Sequence, residues 1–120
     1  MMKTNNIIRD KSFDFACKVV AYCRSLIDEQ KEYVVSKQLL RSGTATGALV
    51  RESEHVESRA DFIHKLSISR KEANETVYWL DLLKKTNLIT NKKYLTLFND
   101  IVQLLKLLTS IIKTSKKISH

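Results

Sequence analysis

Two acid–histidine pairs stand out along the chain. Glu52-x-x-His55 and Asp61-x-x-His64 each set a carboxylate and an imidazole three residues apart. On a helix that is the spacing with which four-helix bundles hold di-iron centres. Such a centre needs two pairs facing each other across a bundle, plus a carboxylate from each of two other helices. Here both pairs flank one turn. At that end of a bundle the last helix supplies Lys113, Lys116 and Lys117, and the first supplies only Asp10 and Asp14. No metal and no other cofactor is expected. Serines are numerous, but none sits in a nucleophile elbow. With Gly43 and Gly47 as the two glycines there is no glycine-rich phosphate cradle. Histidines are few: His55, His64 and His120. These features point away from an enzyme.

Charge is the stronger chemical feature. The chain carries 21 basic and 13 acidic side chains, a formal net charge of +8. Residues 1–33 and 34–83 are nearly balanced, whereas residues 84–120 hold Lys84, Lys85, Lys92, Lys93, Lys106, Lys113, Lys116 and Lys117 against Asp100 alone. An excess confined to one third of a chain points to a polyanionic or acidic partner for that face; a solvated basic surface is the other reading. Arg41 and the acids Glu72 and Glu75 form a second polar set. An arginine fork meeting carboxylates on the next helix is a bidentate, charge-assisted pair that can fix helix register. The same residues also read as solvated surface charge.

Positioning these groups is a task for helices. The chain has 120 residues, 43% of them apolar, with no proline, so it lacks the usual helix breakers and turn builders. Its length fits a single domain, residues 1–120, with one core. The first helical pattern starts near Ser12, an N-cap residue type, and runs to about Glu29. Its apolar stripe is Phe13, Ala16, Val20, Cys23 and Ile27, widened by Phe15, Val19, Tyr22 and Leu26. A second runs from about Ser36 to Glu54. Gly43 and Gly47 in its middle each cost roughly 1 kcal/mol relative to alanine, a cost that close packing of another helix would offset. The third begins after Ser58, whose spacing to Asp61 resembles a capping box. It continues to about Lys85 along a heptad seam of Phe62, Leu66, Ser69, Ala73, Thr76, Leu80 and Leu83. The fourth follows Thr90 or Asn91 and reaches about Lys117. Tyr94, Phe98, Ile101, Leu105, Leu108 and Ile112 form its seam, with Leu97, Leu104 and Ile111 alongside. That face is wider than one bundle seam requires, and the extra width reads as a subunit interface. Short links force neighbours to run antiparallel. The expected fold is therefore all-α, an up-down antiparallel four-helix bundle.

Cys17 and Cys23, six positions apart, would sit about 9 Å apart along a helix and roughly 240° around it. They cannot pair within the helix and are expected as reduced, partly buried thiols. Charged residues interrupt any leader-like apolar run near the N-terminus. Asn99, Asp100, Gln103 and Lys106 break the most apolar stretch, so no membrane span is expected. The expected location is the cytoplasm.

The middle of the chain carries a resemblance. Gln38-Leu-Leu-Arg41-Ser-Gly-Thr44, Gly47-Ala48, Arg51-Glu52, Asp61-Phe-Ile-His-Lys-Leu66, Lys71-Glu-Ala-Asn-Glu-Thr76 and Tyr78-Trp-Leu80 resemble the bacterial four-helix-bundle proteins often encoded in intervening sequences of 23S ribosomal RNA genes. The likeness is strong over residues 36–83. It departs at Thr46, where a bulky aliphatic is usual, and at Leu49, where asparagine is usual. The resemblance implies an up-down bundle that assembles as a ring, usually a pentamer. Such proteins are also similar to the accessory protein of diversity-generating retroelements, a basic pentameric barrel that binds a reverse transcriptase and nucleic acid. The expected function is a non-enzymatic, basic homo-oligomeric ring that binds RNA or other nucleic acid through its lysines. The alternative is a scaffold docking an acidic or reverse-transcriptase-like protein.

Overall fold

A computed structural model describes residues 6–118; His120 lies outside them. The chain forms α1 (Asn6–Gln30), α2 (Val34–Ser53), α3 (Arg59–Lys85) and α4 (Asn91–Ile118), with no strand among the described residues. Helix α2 packs against α1 and α3, and α4 packs against α3 and α1, while the diagonal pairs make no close approach. This is the up-down four-helix bundle, a rod about 50 × 20 × 20 Å.

Each link has a local cause. Lys31 takes a left-handed conformation, φ 56°, and ends α1. The Glu32 carboxylate then accepts from the backbone N–H groups of Val34, Val35 and Ser36 at 3.3, 3.2 and 2.9 Å, satisfying three of the donors that a helix start leaves open. Ser58 caps α3 as its type predicts, its Oγ accepting from the Asp61 N–H at 3.1 Å. At the far end Asn87 is left-handed, φ 62°. Leu88 N–H donates to the Leu83 carbonyl and Asn87 N–H to that of Lys84, at 2.9 and 3.2 Å, the Schellman pattern. Thr90 Oγ1 caps α4 by accepting from Lys93 N–H at 3.1 Å.

The core runs the length of the rod. The seam expected on α3 is the set of residues that α3 buries. Helix α1 differs from expectation at its start and in rotation. It starts at Asn6 and not at Ser12, because no breaker stops the helix there and Ile8 enters the core. Ser12 is a buried interior residue whose hydroxyl donates to the Arg9 carbonyl at 3.1 Å. The C-terminal end of the helix, Gln30, lies one residue from the expected Glu29. Its buried face is Phe15, Val19, Tyr22, Cys23 and Leu26, whereas Phe13 is 54% exposed. Helix α4 is also rotated from the expected face. Leu97, Ile101, Leu104, Leu108, Ile112 and Ser115 are buried, and Tyr94, Phe98 and Leu105 are only half-buried flanks. By length and composition α4 could cross a membrane, a test that core helices of bundles also pass. Its apolar seam is spent inside this bundle.

Candidate functional site

Gly43 and Gly47 are where α2 meets α1. A Cβ on Gly43 would lie 3.0 and 3.1 Å from the Val19 methyls. One on Gly47 would lie 3.0 Å from the Ser12 carbonyl oxygen. The absent side chains let the two backbones come together. On its other side α2 presents the Thr46 carbonyl and the Ser42 hydroxyl to α3. Ser69 Oγ donates to the Thr46 carbonyl at 2.7 Å. Thr76 Oγ1 lies 2.9 Å from both Ser42 Oγ and the Glu72 carbonyl, so its one proton serves one neighbour and a lone pair the other. Among the described residues no buried side-chain nitrogen or oxygen lacks a partner.

Arg41, Glu72 and Glu75 do meet, on the outer edge of the same α2–α3 interface. Arg41 Nη1 donates to Glu72 Oε1 at 3.0 Å, and Arg41 Nη2 pairs with Glu75 Oε2. Gln38 Oε1 accepts from Arg41 Nε at 3.3 Å, and Trp79 Nε1 donates to Glu75 Oε2 at 3.0 Å. The Trp79 hydrogen bond, with help from Arg41, holds the Glu75 carboxyl below its ordinary 4.5. Both carboxylates hold the Arg41 guanidinium above its ordinary range. Arg41 remains 47% exposed. The helix turns it away from the core, which Leu39, Ser42 and Gly43 face.

All eight lysines of the basic third are exposed. They do not form one patch. Lys84, Lys85, Lys92 and Lys93 gather at the α3–α4 link, and Lys113, Lys116 and Lys117 lie about 30 Å away along α4, with Lys106 between. Spacings of seven and four residues put Lys106, Lys113 and Lys117 on one stripe. A shallow concavity beside that stripe is floored by Val102 and Leu105 and edged by Lys106 and Lys113. None of the eight is ion-paired with a described carboxylate. Asp100, the acid of this region, is already taken by Lys18 at 2.7 Å. Lys92 and Lys93 sit in the first turn of α4, which holds no acidic residue. Positive charge there opposes the helix dipole, so these two are not placed for stability.

The acid–histidine pairs do not converge on a ligand set among the described residues. Glu52 pairs with Lys65 at 3.1 Å, and no group of three potential metal-ligating side chains exists among the described residues. Cys17 is exposed and Cys23 buried, and both are free. Burial, with the nearby Glu32 carboxylate, pushes the Cys23 thiol up to about 11. Burial likewise raises Tyr22 to about 12, and its hydroxyl donates to the Leu88 carbonyl at 2.8 Å, tying α1 to the α3–α4 link.

Sequence reading missed a groove of about 550 Å³ between α1 and α2, lined by Arg9, Phe13, Ala16, Thr44, Gly47, Ala48, Arg51, Glu52 and His55. The Arg51 guanidinium stands over the Phe13 ring, 5.2 Å from its centroid. Taking Phe13 as core hid it. The available sign was a run of small residues on α2 flanked by arginines.

A crystal structure at 1.70 Å resolution, of a protein with unknown function from the S23 ribosomal protein family of Bacteroides thetaiotaomicron VPI-5482, superposes with a TM-score of 0.89 at 55% identity. The match covers 90% of this chain and 96% of that one. No curated protein matches the chain. Residues 4–110 match the family described as 23S rRNA-intervening sequence protein. With most of its length inside that match and its bundle shared with the S23 structure, the chain belongs to the 23S rRNA-intervening sequence protein family.

Proposed function

We propose that this protein is a non-enzymatic binding subunit that assembles with copies of itself and holds RNA through its lysines. The observation that carries the reading is the set of eight exposed lysines on α3 and α4, none of them ion-paired with a described carboxylate. Elsewhere basic side chains such as Arg41, Lys18 and Lys65 are spent on intramolecular pairs. Unneutralised lysines gain affinity for a phosphate backbone by releasing its counterions, largely without regard to sequence. Assembly multiplies the effect: a five-membered ring would bring five times +8, a formal +40. Half-buried Leu105, Phe98 and Val102 beside exposed Leu95 on α4 give copies an apolar flank to share. Few aromatics lie near the lysines, so the reading is phosphate binding and not base stacking.

The test combines mass and salt. Light scattering should give several times 13.9 kDa; a monomer at micromolar concentration rejects the assembly. RNA affinity should fall steeply with salt. Replacing Lys106, Lys113 and Lys117 together with Gln should flatten the slope of log affinity against log salt by about 0.7–0.9 for each phosphate no longer neutralised. Helicity should be retained, because glutamine is a good helix former. Undetectable RNA binding, or binding that the triple variant leaves unchanged, rejects the RNA reading. Retention of an acidic protein in place of RNA would favour the scaffold.

A further inference from the structure

The α1–α2 groove is separate from the lysines just considered, and its walls have a distinct chemistry. The floor is apolar and shallow-sided because Ala16, Gly47 and Ala48 are small, while Phe13, 54% exposed, forms one wall. An exposed aromatic beside small residues leaves room that the described residues do not fill. The rim is cationic. Arg51 forms no ion pair with a described carboxylate and rests on the Phe13 ring. Among the described residues the ion pairs of Arg9 are long, 3.6 Å to Asp10 and 3.9 Å to Glu54. Glu52, the one acid in the lining, is neutralised by Lys65, and His55 adds a further nitrogen donor.

Size and charge together define an occupant. The volume of about 550 Å³ falls within the roughly 300–1,000 Å³ of small-molecule sites. The lining runs from Arg9 to Ala16 on α1 and from Thr44 to His55 at the end of α2, which at about 1.5 Å per residue is a trough roughly 10–16 Å long. An arginine stacked on an aromatic keeps its fork edge free for a carboxylate or phosphate. We propose that this groove binds one amphipathic anion of small-molecule size, its apolar body over Ala16, Gly47 and Ala48 against Phe13 and its anionic head on Arg51 and Arg9.

Fluorescence titration of the full chain with the anionic naphthalene dye 8-anilinonaphthalene-1-sulfonate tests this, followed by displacement with dodecanoate or with the uncharged dodecanol. The groove should take up the dye, and dodecanoate should displace it at least tenfold more effectively than dodecanol. Arg51→Gln should weaken dodecanoate about tenfold and leave dodecanol unchanged. Ala48 is exposed, so Ala48→Phe should block the groove without disturbing the core, with unchanged circular dichroism and melting temperature as the check. Equal displacement by the two compounds overturns the proposal, because it shows apolar adsorption alone. Dye binding that survives Ala48→Phe overturns it too, by placing the site elsewhere. So does absent dye binding in the wild type, which shows that the groove takes no such anion, or an Ala48→Phe variant that loses its oligomeric mass, which would mean that another copy fills the groove. None of these outcomes depends on RNA affinity.

Discussion

Toward α1, helix α2 presents Gly43 and Gly47 and lets two backbones come within contact of each other. Toward α3, the same helix presents Ser42 and Thr46 and joins the backbones through hydroxyls. Beyond these contacts the large apolar side chains that α2 buries are Leu39 and Val50. Helix α4 does the opposite, filling its side of the core with Leu97, Ile101, Leu104, Leu108 and Ile112. The difference shows that a helix can be held in a core by dispersion at short range and by satisfied hydrogen bonds, provided small residues bring the backbones close. It also makes the two helices sensitive to opposite changes. The aliphatic seam of α4 suffers when volume is removed, whereas α2 suffers when it is added, because the Ser12 carbonyl, which a Cβ on Gly47 would meet at 3.0 Å, cannot move aside alone.

The largest effect should come from the bulky side of this comparison. Leu108 is fully buried, and Leu108→Ala should cost about 2–5 kcal/mol by removing packed methyls and leaving a cavity. Urea unfolding at constant m-value measures it. A loss well below the roughly 2 kcal/mol floor of such substitutions would mean that α4 is not seated as described. Next is Gly47→Leu, expected to destabilise by about 1–3 kcal/mol through overpacking against α1. Glycine costs roughly 1 kcal/mol in an open helix, so an exposed site would instead show a gain in melting temperature. Such a gain would mean that α1 and α2 do not approach closely there. Gly43→Ala should be milder than Gly47→Ala, since it meets the Val19 side chain and not the Ser12 backbone.

The hydroxyl side is tested by Thr76→Val. The shape is kept, but Ser42 Oγ loses its partner on α3, at an expected cost of about 1–2 kcal/mol for a buried group left unmatched. An unchanged stability would show that the Ser42 hydroxyl is satisfied equally well within its own helix. These two α2 interfaces also mark how far the sequence could be read. The α3 seam was legible in full because its residues repeat in alternating steps of four and three along the whole helix. Close packing at Gly43 and Gly47 was legible as a need, but not its partner: spacing cannot say whether α1 or α3 approaches. On α1 and α4 apolar residues extend past the seam on both flanks, so periodicity fixed the face only to within a residue's rotation. Phe13 then read as core, and the groove it lines stayed hidden. The lysines were legible as an excess in the last third, but their division between the α3–α4 link and the far end of α4 follows from helix length and direction.

The smallest effect belongs to the rim of the α2–α3 interface, where Arg41 meets Glu72 and Glu75 in front of the buried hydroxyls. Inside, a broken hydrogen bond leaves a group without water; outside, water takes its place. Arg41 is 47% exposed and Glu75 35%, so a double-mutant cycle of Arg41→Met with Glu75→Gln should give coupling of about 0.2–1 kcal/mol. Its pH dependence has a definite sign. The folded-state carboxyl of Glu75 is held below its ordinary 4.5 by Trp79 and Arg41. The contribution is therefore fully present above that value and fades as pH falls through the lowered one. Glu75→Gln should remove this acid-side loss, and raising the salt should shrink the coupling near neutral pH. Coupling well above the roughly 1 kcal/mol ceiling of exposed pairs, insensitive to salt, would mean that the rim is closed from water in solution by something packed over α2 and α3. A covering copy of the chain would do that, in which case the coupling should weaken on dilution together with the measured mass.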